Sequence, residues 1–188
     1  MDNDQISLIE KAKNNNKEAL GRLLRQIQGN IYSMLFYLDK NENELLDLTQ
    51  DILLKVSKKI YQLKNPMYFK SWLNQIIINS YYDYLRKEKS KKKYYEKNLD
   101  EKIFEIPDNK GNLTQNIIND ELDLIIKTSI NNLPIKYKIP ITLRELEGLS
   151  YNEISDITNT SIGTVKSRIS RARAKIKEDI TRFEKGIK

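Results

Sequence analysis

Leu149-Ser150-Tyr151-Asn152-Glu153-Ile154-Ser155-Asp156-Ile157, a polar break at Thr158-Asn159-Thr160-Ser161, and then Gly163-Thr164-Val165-Lys166-Ser167-Arg168-Ile169-Ser170-Arg171-Ala172-Arg173 read as two helices joined by a short turn. Ser150, followed three residues later by Glu153, is a capping box. The hydroxyl accepts from one orphan N–H of the first turn while the carboxylate reaches back to another. A capped helix, a short polar turn and a basic helix form the spacing by which helix-turn-helix proteins lay their second helix in the major groove of DNA.

The second helix can be read face by face at about 100° per residue. Val165, Ile169, Ala172 and Ile176 form one apolar stripe, the side expected to pack on the domain. Ser167, Ser170, Arg171 and Ala174 lie opposite, with Lys166 and Lys175 on the flanks. Small hydroxyl residues beside an arginine allow close approach to base edges. Arg168 and Arg173 fall nearer the edges of the apolar stripe, from which long side chains reach phosphates. The plainer alternative is a solvated basic face on a structural helix.

Outward from this motif, the remainder of the chain also reads as helix. Among 188 residues, 39% are hydrophobic, with only 6 Gly and 4 Pro, and the helical period recurs almost throughout. An all-α protein follows, and the length allows one larger domain or two small ones. No apolar run approaches the roughly 20 residues that span a bilayer. Met1-Asp2-Asn3-Asp4 lacks the basic and apolar parts of a secretory signal, which together with the absence of Cys leads to an expectation of the cytoplasm. The chain has no Cys and no His, so Zn sites built on those ligands, Cys–His nucleophiles and Ser-His-Asp triads are excluded. No catalytic residue, metal or cofactor is expected.

The net charge of +7 is unevenly placed. Residues 161–188 carry nine basic and three acidic side chains, and residues 84–97 carry seven and two, which leaves the remainder net acidic. Two separate basic patches imply polyanion contact at two places.

Three sections emerge. Residues from about 5 to 95 form a helical block, with helix starts near Asn16 and Asn41-Glu42 and a break at Asn65-Pro66. Residues 96–119, with Pro107-Asp108-Asn109-Lys110-Gly111-Asn112 as turn chemistry, read as a linker. Residues 120–188 hold a helix at Asp120–Asn132, another at Pro134–Glu147 and then the helix-turn-helix. Pro134 suits a first helical turn and Gly148 a C-terminal cap. Pro140 predicts a kink or a later start.

The first block carries two faces of interest. In Glu44–Val56, Leu45, Thr49, Ile52 and Val56 point one way with Leu46 and Leu53 beside them. Glu44, Asp47, Gln50, Asp51 and Leu54 point the other way. That acidic face suits either a basic partner or plain solvent. After Phe69-Lys70-Ser71-Trp72-Leu73, the residues Trp72, Leu73, Ile76 and Ile77 anchor a helix in a core. Gln75, Asn79, Tyr82 and Arg86 share a stripe whose amides, ring and cation suit unstacked bases. The run Tyr81-Tyr82-Asp83-Tyr84 reads equally as half-buried core.

In this order, the pieces resemble the extracytoplasmic-function (ECF) sigma factors of the sigma-70 family. Asp47-Leu48-Thr49-Gln50-Asp51 is similar to region 2.2, which docks on the β′ clamp helices of core RNA polymerase. Phe69-Lys70-Ser71-Trp72-Leu73 through Ile76, Asn79, Asp83, Leu85 and Arg86 resembles regions 2.3 and 2.4, which melt and read the −10 element. Leu133-Pro134, Glu147-Gly148-Leu149-Ser150-Tyr151 and Gly163-Thr164-Val165-Lys166-Ser167-Arg168 resemble region 4, which reads the −35 element.

The resemblance implies region 2 at 1–95, a linker at 96–119 threading toward the RNA exit path, and region 4 at 120–188. It implies polymerase contacts at Asp47, Gln50, Asp51 and Leu54, and single-stranded −10 contacts at Lys70, Gln75, Asn79, Tyr82 and Arg86. Double-stranded −35 contacts would fall at Thr164, Lys166, Ser167, Arg168, Ser170, Arg171 and Arg173. The implied partners are core RNA polymerase (β′ clamp helices and β flap), promoter DNA and an anti-sigma factor. One departure is Ile78, just before Asn79, where the family often carries a basic residue for a phosphate contact. The alternatives are a stand-alone helix-turn-helix regulator, dimeric on paired half-sites, and a nucleic-acid enzyme with metal-binding carboxylates at Glu44, Asp47 and Asp51.

Overall fold

The computed structural model describes residues 3–39, 42–98 and 119–186, and these contain helices and turns but no strand. The first bundle comprises α1 (Asn3–Lys13), α2 (Lys17–Leu38), α3 (Glu42–Lys59) and α4 (Phe69–Asn98). The second comprises α5 (Asn119–Asn132), α6 (Ile135–Glu145), α7 (Tyr151–Thr158) and α8 (Ile162–Gly186). Most of the expected linker, residues 99–118 with its Pro107–Asn112 turn, lies outside the described residues.

Local chemistry sets the helix boundaries. Asn16 accepts from the Ala19 N–H at 2.9 Å and so starts α2. Asn65 caps the short 3₁₀ turn at Pro66–Tyr68 in the same way, through the Met67 N–H at 2.9 Å. On α2, Ala19, Leu23, Ile27, Ile31, Met34, Leu35 and Leu38 recur at helical spacing, and all are buried. They pack against Leu8, Ile9 and Ala12 of α1 and the buried stripes of α3 and α4. Each fully buried Leu or Ile contributes about 1.5–3 kcal/mol relative to exposure.

α3 buries Leu45, Leu48, Thr49, Ile52 and Val56. Thr49 is tolerated there because its hydroxyl donates to the Leu45 carbonyl at 2.7 Å. Leu46 is 56% exposed, unlike the core-side position expected for it, because the bundle covers a narrower arc of α3 than its apolar residues span. On α4, Phe69, Leu73, Ile77, Ile78 and Tyr81 are buried, while Trp72 and Ile76 pack only partly against the core.

The second bundle confirms most of the expected punctuation. α6 begins directly after Pro134 and runs through Pro140, so the alternative of a later start does not hold. Pro140 removes one intrahelical donor, and it is buried, as are Ile139, Ile141 and Leu143. Gly148 has φ +64°, in the left-handed region that glycine occupies without strain. The helix ends at Glu145, two residues sooner than read from sequence.

The bundles touch: α2 packs on α5 and α6, and α4 on α7. Their buried side chains form one continuous cluster. Among the described residues, no helix is long and apolar enough to cross a membrane.

Candidate functional site

The outer face of α3 presents Asp47, Gln50 and Asp51, all exposed, with Leu54 57% exposed beside them. Leu46 adds a second uncovered apolar side chain. Glu44 is drawn partly inward, where it accepts the Tyr84 hydroxyl; burial first, and then this bond, raise the Tyr84 phenol above its usual range. An acidic face carrying two exposed leucines is a surface suited to a basic, partly apolar partner helix.

α4 carries the second face. Gln75 and Asn79 are exposed. Arg86 is exposed and pairs with Asp83, which lies 3.9 Å from the Lys55 ammonium. Tyr82 is half-buried, and its phenol is raised by burial against the opposing effect of nearby Arg168. Lys70 lies 3.8 Å from Glu147. The tyrosine run therefore divides: Tyr81 is a core residue whose hydroxyl donates to the Leu38 carbonyl at 2.6 Å, whereas Tyr82 stays on the face. Ile78 is fully buried in the first bundle, so this position offers no route to a phosphate and no missing contact follows from it.

The third face is the helix-turn-helix. The capping box forms, with the Glu153 N–H donating to the Ser150 hydroxyl at 3.2 Å and the Ser150 N–H to the Glu153 carboxylate at 2.8 Å. Burial alone would raise the Glu153 carboxyl, but Ser150, Ser71 and Lys70 outweigh it and hold the group below its usual range. The turn is made by Asn159 in the left-handed region and by the Ser155 hydroxyl donating to the Thr160 carbonyl at 2.5 Å. Ser161 then caps α8, accepting from the Thr164 N–H at 3.2 Å. Ser150→Ala should lower stability by about 1 kcal/mol, read as a drop of about 2–4 °C in the thermal midpoint.

On α8, Val165, Ile169 and Ala172 are buried and Ile176 half-buried, while Lys166, Ser167, Ser170 and Arg171 are exposed. Arg171 bonds the Tyr137 hydroxyl, which holds that phenol below its ordinary value. Arg173 makes a two-pronged contact with Glu145 at 2.6 and 3.0 Å, and Arg168 is only partly exposed. Arg173 is thus engaged within the chain, Arg168 lies near Tyr82, and Thr164 bonds Ser161 between hydroxyls at 2.9 Å. Among the described residues, no group of three or more carboxylate, His or Cys side chains is placed to hold a metal ion.

Sequence reading missed two groups. Tyr61, Met67 and Tyr68 are more than half exposed in the 3₁₀ turns that precede α4, and the two tyrosines present open rings of the kind suited to stacking. The aromatic content around Asn65-Pro66 was the available signal. Asn74 is buried, bonding the Lys70 carbonyl at 3.0 Å and Glu147 at 3.4 Å, a long-range contact that no periodicity shows.

Comparison with known proteins agrees with this geometry. Residues 23–91 match the family model for sigma-70 region 2, and residues 123–176 match that for sigma-70, region 4. The ECF RNA polymerase sigma-E factor of Haemophilus influenzae is 30% identical, over 93% of this chain and 94% of that protein. The RNA polymerase sigma factor SigV of Bacillus subtilis is 28% identical, over 86% and 91%. Among solved structures, the sigma factor RpoE of Bartonella quintana, in complex with the anti-sigma factor NepR, aligns with a TM-score of 0.67 at 26% identity, covering 86% of this chain and 96% of that one. CnrH, in complex with the cytosolic domain of CnrY, shares the fold with a TM-score of 0.65 at 20% identity, over 94% and 97%. With both regions present in order and a relative matched along nearly its whole length, the chain belongs to the ECF sigma factors of the sigma-70 family.

Proposed function

We propose a division of labour for this sigma factor, which directs promoter-specific initiation by core RNA polymerase. Region 2, at 1–95, docks on the β′ clamp helices through Asp47, Gln50, Asp51 and Leu54. Its α4 face, with Lys70, Gln75, Asn79, Tyr82 and Arg86, captures an unstacked −10 base and so stabilises the open strand. The segment 96–119 links it to region 4, at 120–188, which contacts the β flap. There α8 enters the major groove of the −35 element with Lys166, Ser167, Ser170 and Arg171 at base edges. Thr164, Arg168 and Arg173 hold the backbone.

The observation that carries this reading is the α3 face. Three polar side chains and two leucines lie uncovered there, on a surface that binding DNA does not need. Strand opening is driven by binding, and the chain is not itself an enzyme. Its place is the cytoplasm, beside the polymerase. The complex of the RpoE relative with an anti-sigma factor supports a partner of that kind for this chain.

The test is co-elution with bacterial core polymerase, followed by transcription in vitro from a library of genomic fragments. Co-elution with discrete start sites is the expected result. Binding of duplex DNA without any association with polymerase would instead favour a stand-alone regulator. On a promoter so mapped, Arg171→Ala should cost about 1–3 kcal/mol at one −35 position. An equal loss on every sequence would show that Arg171 touches only the backbone.

A further inference from the structure

Asp83 stands between two cations at the seam of α3 and α4. One carboxylate oxygen pairs with Arg86, a turn further along α4, and the other lies 3.9 Å from the Lys55 ammonium of α3. That ammonium also donates to the Ser80 hydroxyl at 2.9 Å, and Ser80 is buried. Ser80, Lys55, Asp83 and Arg86 thus form a row that runs from the buried side of α4 to its outer face.

The Arg86 side chain is 77% exposed, and an arginine so open ordinarily samples many rotamers. An exposed ion pair three residues apart on one helix holds such a side chain only weakly. Here the carboxylate is itself braced. Lys55 comes from a second helix, and its ammonium is fastened on a buried hydroxyl. One anion between two cations leaves the group with a net positive charge. The bond to Asp83 uses Nη2 of Arg86, which leaves further donors of the guanidinium fork for a second acceptor. Asn79, Asp83, Arg86 and Lys89 border one crevice, so Arg86 and Lys89 adjoin the same space.

We infer that Asp83 is a positioning residue for −10 capture: braced by Lys55, it holds the Arg86 guanidinium where a phosphate of the opened strand arrives, and it touches no DNA itself. This rests on the reading of α4 as the −10 face. Immobilising a rotamer-rich side chain is part of the cost of binding, and fixing it beforehand removes that part. The negative charge of Asp83 opposes a phosphate, but a single exposed charge screened by salt is the smaller effect. The two effects give opposite signs for the loss of that charge. By charge alone an Asp83→Asn chain binds the strand more tightly, and by positioning it binds more weakly.

The test uses holoenzyme assembled with saturating core polymerase. The probe is a labelled single-stranded oligonucleotide carrying the non-template −10 sequence of a promoter mapped with that holoenzyme. Arg86→Ala should weaken strand binding about tenfold. Asp83→Asn and Lys55→Met should each weaken it about threefold, and neither should add to the loss already present in an Arg86→Ala chain. Binding of a duplex −35 fragment by the same holoenzymes should not change. If Arg86→Ala weakens binding while either of the other variants binds as tightly as wild type or more tightly, the positioning role is overturned and the −10 face stands. A loss that persists undiminished on the Arg86→Ala background overturns it as well, because the effect then bypasses the arginine. An Arg86→Ala chain with wild-type affinity removes Arg86 from the −10 face, and the positioning role with it.

Discussion

Alanine at Asp47, Gln50 and Asp51 together should remove binding to core polymerase while leaving the fold intact. Each side chain is exposed on α3 and makes no contact that the bundle needs. Substitutions of that kind usually change stability by no more than about 0.5 kcal/mol each. An isolated surface charge pair is worth only about 0.2–1 kcal/mol. Here the carboxylates share the exposed face with Leu46 and Leu54, which are 56% and 57% exposed and would be covered on docking. Polar groups desolvated around such an apolar centre gain in value, and truncating one can cost 2 kcal/mol or more. Three together should weaken binding by about 10²–10³-fold, equivalent to about 3–4 kcal/mol. Titration of labelled core polymerase, with circular dichroism as the folding control, measures this. Undiminished affinity in the triple variant would move the docking surface elsewhere.

The second large effect concerns Ile78. A family-based repair would place arginine there to recover a phosphate contact, and the structure forecasts the opposite outcome. Ile78 has no exposed surface and packs in the core of the first bundle. Ile78→Arg would bury an unpaired guanidinium, at a cost of several kcal/mol after relaxation. Small domains have only about 5–15 kcal/mol of stability in all. The variant should therefore fold poorly, with a urea midpoint far below that of wild type, and should gain nothing in DNA affinity. A stably folded variant with tighter DNA binding would show that the helix can turn this position outward.

The all-α class, the order of the helices and the helix-turn-helix were legible in the sequence because short-range physics decides them. Asn16 and Ser150 announce helix starts through bonds to residues three positions away, while Asn65 and Ser161, read from sequence only as parts of breaks, prove to be caps as well. The stripe Val165-Ile169-Ala172 announces its buried face through the helical period alone. The acidic face of α3 was legible for the same reason. What periodicity could not decide is which part of an apolar stripe is covered. Leu46 and Ile78 are both apolar, yet one is mostly exposed and the other fully buried, because the arc of burial depends on neighbouring helices.

The long-range contacts lay further out of reach. Lys138 lies 100 residues from the carbonyl it bonds, and Glu147 lies 73 from Asn74. Read locally, Lys138 is one more cation in a basic protein and Glu147 a residue near a helix end. By itself the sequence determined the helices, their caps and the chemistry each face offers, since those follow from side chains a turn or less apart. Only the tertiary structure decided which faces remain open and which lie against each other. That choice depends on how two bundles share one buried surface, and no local pattern encodes it.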